Sequence, residues 1–248
     1  MSREKAYLER VGLLVGEDVL ARLGEVRVLL FGAGGVGSWC AEGLVRSGVR
    51  HLTLVDADVI SESNVGRQLM ATPRTVGQVK VEALRDRLLE VAPDAEITVY
   101  HKIFSAETAD EFAMEGYDYI LDAIDSLKDK GELILRATRT PVKFFCSMGA
   151  ACKVDPTQVK VGEFWNVRGC PLGAALRKKF KQNHTWPGRK FRCVYDEEVL
   201  PNRGGEGKAE TDLFNKAQIN GALVHITAMF GMTLAGLVIE DVYHQIVG

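Results

Sequence analysis

The chain has 248 residues, 46% hydrophobic and 26% charged, with a formal net charge of −2. That is apolar material for one large or two small cores, and it leaves no global field to draw the chain to nucleic acid or membrane; a polyanion must be met by a local patch. Five cysteines, an odd number with no Cys-x-x-Cys spacing, argue against a disulfide framework and against a four-cysteine zinc site, and are expected to be reduced thiols of a cytoplasmic protein.

The N-terminus is charged and lacks the apolar stretch of a signal peptide. Residues 3–23 read as an amphipathic helix with Tyr7, Leu8, Val11, Leu14, Val15, Val19 and Leu23 near one face. Strand 26–31, helix 35–47 and strand 51–56 form a βαβ unit. Residues 57–75 read as a polar loop or short helix, and helix 76–91 is stopped by Pro93. Strand 96–101, a helix near 106–114, strand 118–122, a helix over 127–138 capped by Ser126, and strand 142–147 complete the alternation. Strands alternating with helices predict an α/β fold with a Rossmann-like, doubly wound, mostly parallel sheet.

The second half predicts a strand over 159–165, a basic helix over 171–181, a polar loop over 182–190, a short strand over 191–195 and a mobile loop over 201–210. The apolar run 219–239 carries three glycines. It reads as a buried core or dimer helix, with membrane contact as the alternative its length permits.

The chemistry begins at Val28-Leu-Leu-Phe-Gly-Ala-Gly-Gly-Val-Gly-Ser38, an apolar strand running into a glycine-rich turn and then a helix. Glycines in Gly32-x-Gly34-x-x-Gly37 permit a tight turn, close approach of backbone to phosphate and close helix–strand packing, and the helix N-terminus offers N–H groups to an anion. Asp56 ends the second strand, placed to accept from ribose hydroxyls. On these residues alone NAD or FAD remains an alternative ligand. Asn64-x-x-Arg67-Gln68, Lys80 and Asp122-Ala-Ile-Asp125 follow; cations suit phosphate charge and a carboxylate suits magnesium, a set that hydride transfer does not need. Asp125 as a mere turn residue, and Arg10 as an ordinary surface cation, are the plain alternatives. The basic run Arg177, Lys178, Lys181, Arg189, Lys190 and Arg192 is interleaved with Phe180, Trp186 and Phe191, a composition that fits unpaired RNA bases beside phosphates and equally a solvated helix face.

In this order the motifs resemble the ubiquitin-activating-enzyme-like adenylyltransferases, which activate carboxylates with ATP. Asp122-Ala-Ile-Asp-Ser126, Asp155-Pro-Thr-Gln158, Cys170-Pro-Leu-Gly-Ala-Ala-Leu-Arg177 and Phe191-Arg-Cys-Val-Tyr195 are most similar to the tRNA threonylcarbamoyladenosine dehydratases of that superfamily. The resemblance implies that Gly32, Gly34, Gly35 and Gly37 line the nucleotide loop, Asp56 binds ribose, and Asn64, Arg67, Gln68 and Lys80 bind the nucleotide. It further implies that Asp125 holds magnesium with Asp122 beside it, and that Arg10 reaches the ATP of a partner subunit in a homodimer. The implied cofactors are ATP and Mg2+ without structural zinc; the implied partners are a tRNA bearing threonylcarbamoyladenosine, bound through the basic run, and a sulfur-relay protein. The implied division is an N-terminal dimerisation helix (1–25), an ATP-binding domain (26–150) and a tRNA-binding and dimerisation extension (151–248), as one continuous fold. Activation of a ubiquitin-like sulfur carrier is the alternative activity. Two departures stand out: Cys170 occupies a position where the family carries aspartate, and Gln218-Ile-Asn220 lacks the cysteine expected before the last apolar helix.

Overall fold

The computed structural model describes residues 6–203 and 220–248. A seven-stranded sheet runs through the centre in the order β3-β2-β1-β4-β5-β7-β6. Its strands are β1 (Arg27–Phe31), β2 (His51–Val55), β3 (Glu96–Tyr100), β4 (Tyr119–Asp122), β5 (Lys143–Ser147), β6 (Lys160–Glu163) and β7 (Arg192–Tyr195). All neighbours pair in parallel except β6, an antiparallel edge on β7. The central strands are apolar runs rather than alternations because helices cover both faces of the sheet. The doubly wound α/β architecture expected from the sequence is therefore the one observed, and strands from beyond residue 150 extend the same sheet.

The described residues form seven α-helices: α1 (Glu9–Val15), α2 (Glu17–Glu25), α3 (Gly37–Arg46), α4 (Lys80–Val91), α5 (Leu127–Ala137), α6 (Pro171–Gln182) and α7 (Val224–Val247). One core lies between the sheet and α2, α3, α4 and α7; the other lies under α5 and α6. α7 is the one described helix long and apolar enough to cross a membrane, yet half of its apolar window is buried. Ile226, Phe230, Leu234, Val238 and Val242 face the core. Gly231 lets it lie against α3, since a Cβ there would come within 2.4 Å of the Val36 carbonyl oxygen. The far end is tied to the sheet by Asp241, which accepts from the Tyr119 hydroxyl at 2.8 Å and faces the Lys143 ammonium at 3.3 Å.

Several boundaries differ from the sequence expectation. The single helix over 3–23 breaks at Gly16, whose φ of 89° is outside helical space, and Leu14, expected on the buried face, is 83% exposed. The helix near 106–114 is instead two 3-10 turns, Ala109–Phe112 and Met114–Gly116, separated by Ala113 in the left-handed region. α4 starts at Lys80 rather than 76, because Gly77 has φ 86° and Val79 bridges back to Val59. The strand over 159–165 stops at Glu163, where the chain turns into the 3-10 segment Phe164–Asn166. The last apolar helix starts five residues later and runs eight further than 219–239. Most of the loop read over 201–210, together with Gln218 and Ile219, lies outside the described residues.

Candidate nucleotide site

The carboxyl ends of β1, β2 and β4 lie side by side, with Phe31 opposite Val55 on one side and Asp122 on the other. The glycine loop springs from this point, where the sheet reverses its winding and ligands of such folds bind. The Gly32 N–H donates to the Val55 carbonyl at 2.8 Å. Its φ is 91°, and a Cβ would lie 2.8 Å from the Ala123 carbonyl oxygen. Gly37 opens α3 so close to the loop that a Cβ would sit 1.7 Å from the Gly32 oxygen. A Cβ on Gly35 would press on Thr227 of α7 and the Arg67 stem, whereas one on Gly34 would meet nothing nearer than the Gln68 amide nitrogen at 4.0 Å. The loop is closed beneath and open at Gly34.

Asp56 ties the loop down. One carboxylate oxygen accepts from the Ala33 N–H at 2.7 Å and the other from the Asp58 N–H at 2.9 Å. Burial pushes the Asp56 carboxyl above the ordinary aspartate range, and the Lys80 ammonium pulls the other way. Lys80 is buried at the first turn of α4 and donates to Asp58 at 2.6 Å. Asp58 was not singled out in the sequence, although its spacing from Asp56 across a single residue at a strand end was visible. Asn64 is buried and accepts the Ser61 N–H at 3.1 Å, closing a 3-10 turn, Glu62–Asn64, that sets the segment's course. Arg67 donates to the Ser63 carbonyl at 2.9 Å, and its own carbonyl accepts from the Trp39 indole at 3.2 Å. Gln68 is buried beside Gly34, and its Oε1 has no hydrogen-bond partner among the described residues.

Asp122 departs from the expected place. Its side chain is wholly buried and turned into the protein, accepting from Lys130 at 2.8 Å, the Ile124 N–H at 2.9 Å and the Cys146 thiol at 3.2 Å. Burial raises the Asp122 carboxyl, opposed by Lys130, and holds the Cys146 thiol well above its usual range. Asp125, three residues on, is exposed at the rim, and Ser126 caps α5 by accepting from the Asp129 N–H. The set suits a nucleotide: a helix N-terminus, an open glycine face, an orphaned buried amide oxygen and a cation within reach of the ribose-type acceptor. No group of three metal-ligating side chains occurs among the described residues. The donor set at the rim fits a magnesium ion only if phosphate oxygens supply most of its shell.

The basic run is scattered. Arg189 is folded inward and donates to the Ala137, Thr138, Thr140 and Val142 carbonyls at the end of α5; burial lowers its pKa. Arg192 pairs with Glu240 of α7 at 2.8 Å. Arg177 donates to the Phe164 carbonyl and lies over the Phe164 ring. Phe180 and Phe191 are core residues, which leaves Lys178, Lys181, Lys190 and the half-exposed Trp186 at the surface. Cys170 is buried as the N-cap of α6, its sulfur accepting from the Gly173 N–H at 3.3 Å, a capping position that an aspartate also fills. Arg10 is exposed on α1, beside Leu13 and Leu14, each more than four-fifths exposed.

Comparison with known proteins adds to this geometry. The ThiF family model matches residues 8–245. The tRNA threonylcarbamoyladenosine dehydratase of Haemophilus influenzae is 34% identical over 250 residues, covering 97% of this chain and 95% of that protein. The crystal structure of the E. coli tRNA N6-threonylcarbamoyladenosine dehydratase TcdA in complex with ATP superposes with a TM-score of 0.86 at 28% identity, covering 98% of this chain and 96% of that one. The molybdopterin-synthase adenylyltransferase of E. coli is 38% identical, but over 65% of this chain and 62% of that protein.

Proposed function

The chain belongs to the ThiF family, and from that premise we propose that it is an ATP-dependent tRNA threonylcarbamoyladenosine dehydratase. The observation that carries this reading is the span of the likeness: it runs through the second half of the chain as well as the nucleotide half, whereas the likeness to a sulfur-carrier activator covers about two thirds.

The chemistry follows from the leaving group. Hydroxide leaves a carboxylate poorly and AMP leaves it well. A threonyl carboxylate oxygen attacks the α-phosphorus of ATP and pyrophosphate departs, giving an acyl-adenylate. The neighbouring carbamoyl group then attacks the activated carbonyl, a ring closes, and AMP carries off the former carboxylate oxygen; the nucleoside has lost one water. No protein nucleophile is needed. Positioning and stabilisation of phosphate charge supply most of the rate.

Gly34 and the N-terminus of α3 take the phosphates, with Arg67, Asn64 and Gln68 alongside. Asp56 accepts from the ribose through lone pairs its two backbone donors leave unused. Lys80 keeps two ammonium protons beyond the one given to Asp58. Magnesium, when bound with ATP, neutralises phosphate charge beside Asp125. A homodimer covers Leu13 and Leu14 and brings Arg10 to the other subunit's nucleotide. Lys178, Lys181 and Lys190 meet the anticodon-loop phosphates, with Trp186 offered to an unpaired base. The free cysteines suit the reducing cytoplasm.

ATP–pyrophosphate exchange tests the reading. Exchange should require tRNA carrying threonylcarbamoyladenosine. Exchange that proceeds equally with tRNA lacking the threonylcarbamoyl group, or only with a ubiquitin-like carrier, would overturn it.

A further inference from the structure

Beneath the nucleotide site lies an ion pair that the proposed chemistry does not touch. Asp122 at the end of β4 and Lys130 in α5 are both fully buried, 2.8 Å apart. The same Asp122 oxygen accepts the Ile124 N–H at 2.9 Å, while Lys130 also donates to the Ile124 carbonyl at 2.7 Å. Asp122, Lys130 and both backbone groups of Ile124 thus form a closed hydrogen-bonded ring. The second Asp122 oxygen is held by Cys146, whose strand neighbour in β7 is Cys193. The ring fixes one short turn, 123–125. The Ala123 N–H joins that turn to Phe31 of β1 at 2.8 Å, and its carbonyl is the atom that a Cβ on Gly32 would strike. Ile124 is followed directly by Asp125.

A wholly buried ion pair is a poor source of stability, since apolar side chains of similar volume often do as well or better; breaking one side of it is what costs the fold. Here the pair sits on both polar groups of the residue between the floor of the glycine loop and the rim carboxylate. We propose that Lys130, with Asp122, is a positioning residue of the nucleotide site, holding the 123–125 turn so that the glycine loop keeps its floor and Asp125 its place. The proposal rests on the nucleotide reading of the site. Neither side chain touches substrate; both act through Ile124.

The discriminating variant removes the pair while keeping the core filled: Asp122→Leu with Lys130→Met. Thermal melting, ATP binding by calorimetry with and without magnesium, and kcat are measured together. The double variant should melt within a few degrees of the wild type, bind Mg-ATP roughly tenfold more weakly, and lose kcat on the order of 100-fold, the scale that an ångström of misplacement costs. Asp122→Asn, nearly isosteric and still an acceptor for the Ile124 N–H, keeps the test open if the double variant does not fold; it should show the same losses, smaller in size. A folded double variant, or a folded Asp122→Asn protein, with wild-type ATP affinity and kcat would overturn the positioning role. Wild-type protein that binds no ATP would instead overturn the nucleotide reading beneath it, so the two failures are distinct.

Discussion

The glycine loop and the basic helix were both conspicuous in the sequence, and the structure treats them differently. In the loop, backbone geometry dictates the glycine at the two ends of the motif: a Cβ on Gly32 would strike the Ala123 carbonyl, and at Gly37 a single methyl group would overlap the Gly32 carbonyl. In and after α6, six cations were equivalent by composition, yet Arg189 holds four backbone carbonyls, Arg192 holds Glu240 and Arg177 lies on Phe164. Spacing specifies a site when the backbone reads it. Composition does not, because a long cationic side chain serves the fold and the solvent equally well.

The contrast can be broken at its strongest point first. Lys80→Ala should lower kcat/KM by about 10²–10³-fold, the scale of losing one preorganised donor to developing charge, with the fold retained. Steady-state kinetics beside a melting curve checks this; wild-type turnover would remove Lys80 from the site. Next, Gly37→Ala should cost about 3 kcal/mol of stability, at the upper end for overpacking, because the atom it meets is backbone; chemical denaturation measures it.

Arg189→Ala sharpens the other side. It should cost about 1–3 kcal/mol by orphaning buried carbonyls, while leaving the salt dependence of tRNA binding unchanged. Lys178→Glu and Lys190→Glu should do the reverse: unchanged melting, weaker tRNA binding and a salt slope shallower by about one for each phosphate no longer neutralised. Equal behaviour of the two sets would erase the distinction.

The Asp56 carboxyl gives a pH signature. Its folded value is raised above 3.8 by burial. Its protonated form is therefore favoured by folding: that contribution to stability is complete below 3.8 and is lost as the pH rises through the folded value. ATP affinity should move oppositely, weakening as the pH falls through the same raised value, since a protonated acid accepts poorly from ribose. Calorimetry across mildly acid pH follows the effect, and Asp56→Asn should flatten it. Smallest is Cys170→Ala, which removes the α6 cap and should cost about 0.5–1 kcal/mol with little change in turnover.

Much of the nucleotide half was legible because strand, glycine turn and helix are short-range features. The parallel sheet and the convergence of Gly32, Asp56 and the β4 end follow from the alternation of strands and helices, whereas the strand order itself comes from the structure. The tie between Lys80 and Asp58 was less accessible, because it depends on the path of the chain between β2 and α4. Lys130 was invisible: a lysine in a helix reads as solvated, and only the third dimension places it under Asp122 with no exposure. The break at Gly16 was missed for a related reason. A glycine inside an apolar pattern can be carried within a helix or can end it, and here its φ of 89° ends it.

The central claim is an ATP-driven loss of water from a tRNA nucleoside, and mass spectrometry tests it most directly. Threonylcarbamoylated tRNA is incubated with the protein and Mg-ATP, digested mildly because the ring reopens easily, and its nucleosides are weighed. The account predicts a threonylcarbamoyl nucleoside lighter by one water, formed only when ATP is present. An unchanged nucleoside from protein shown to bind ATP would contradict it.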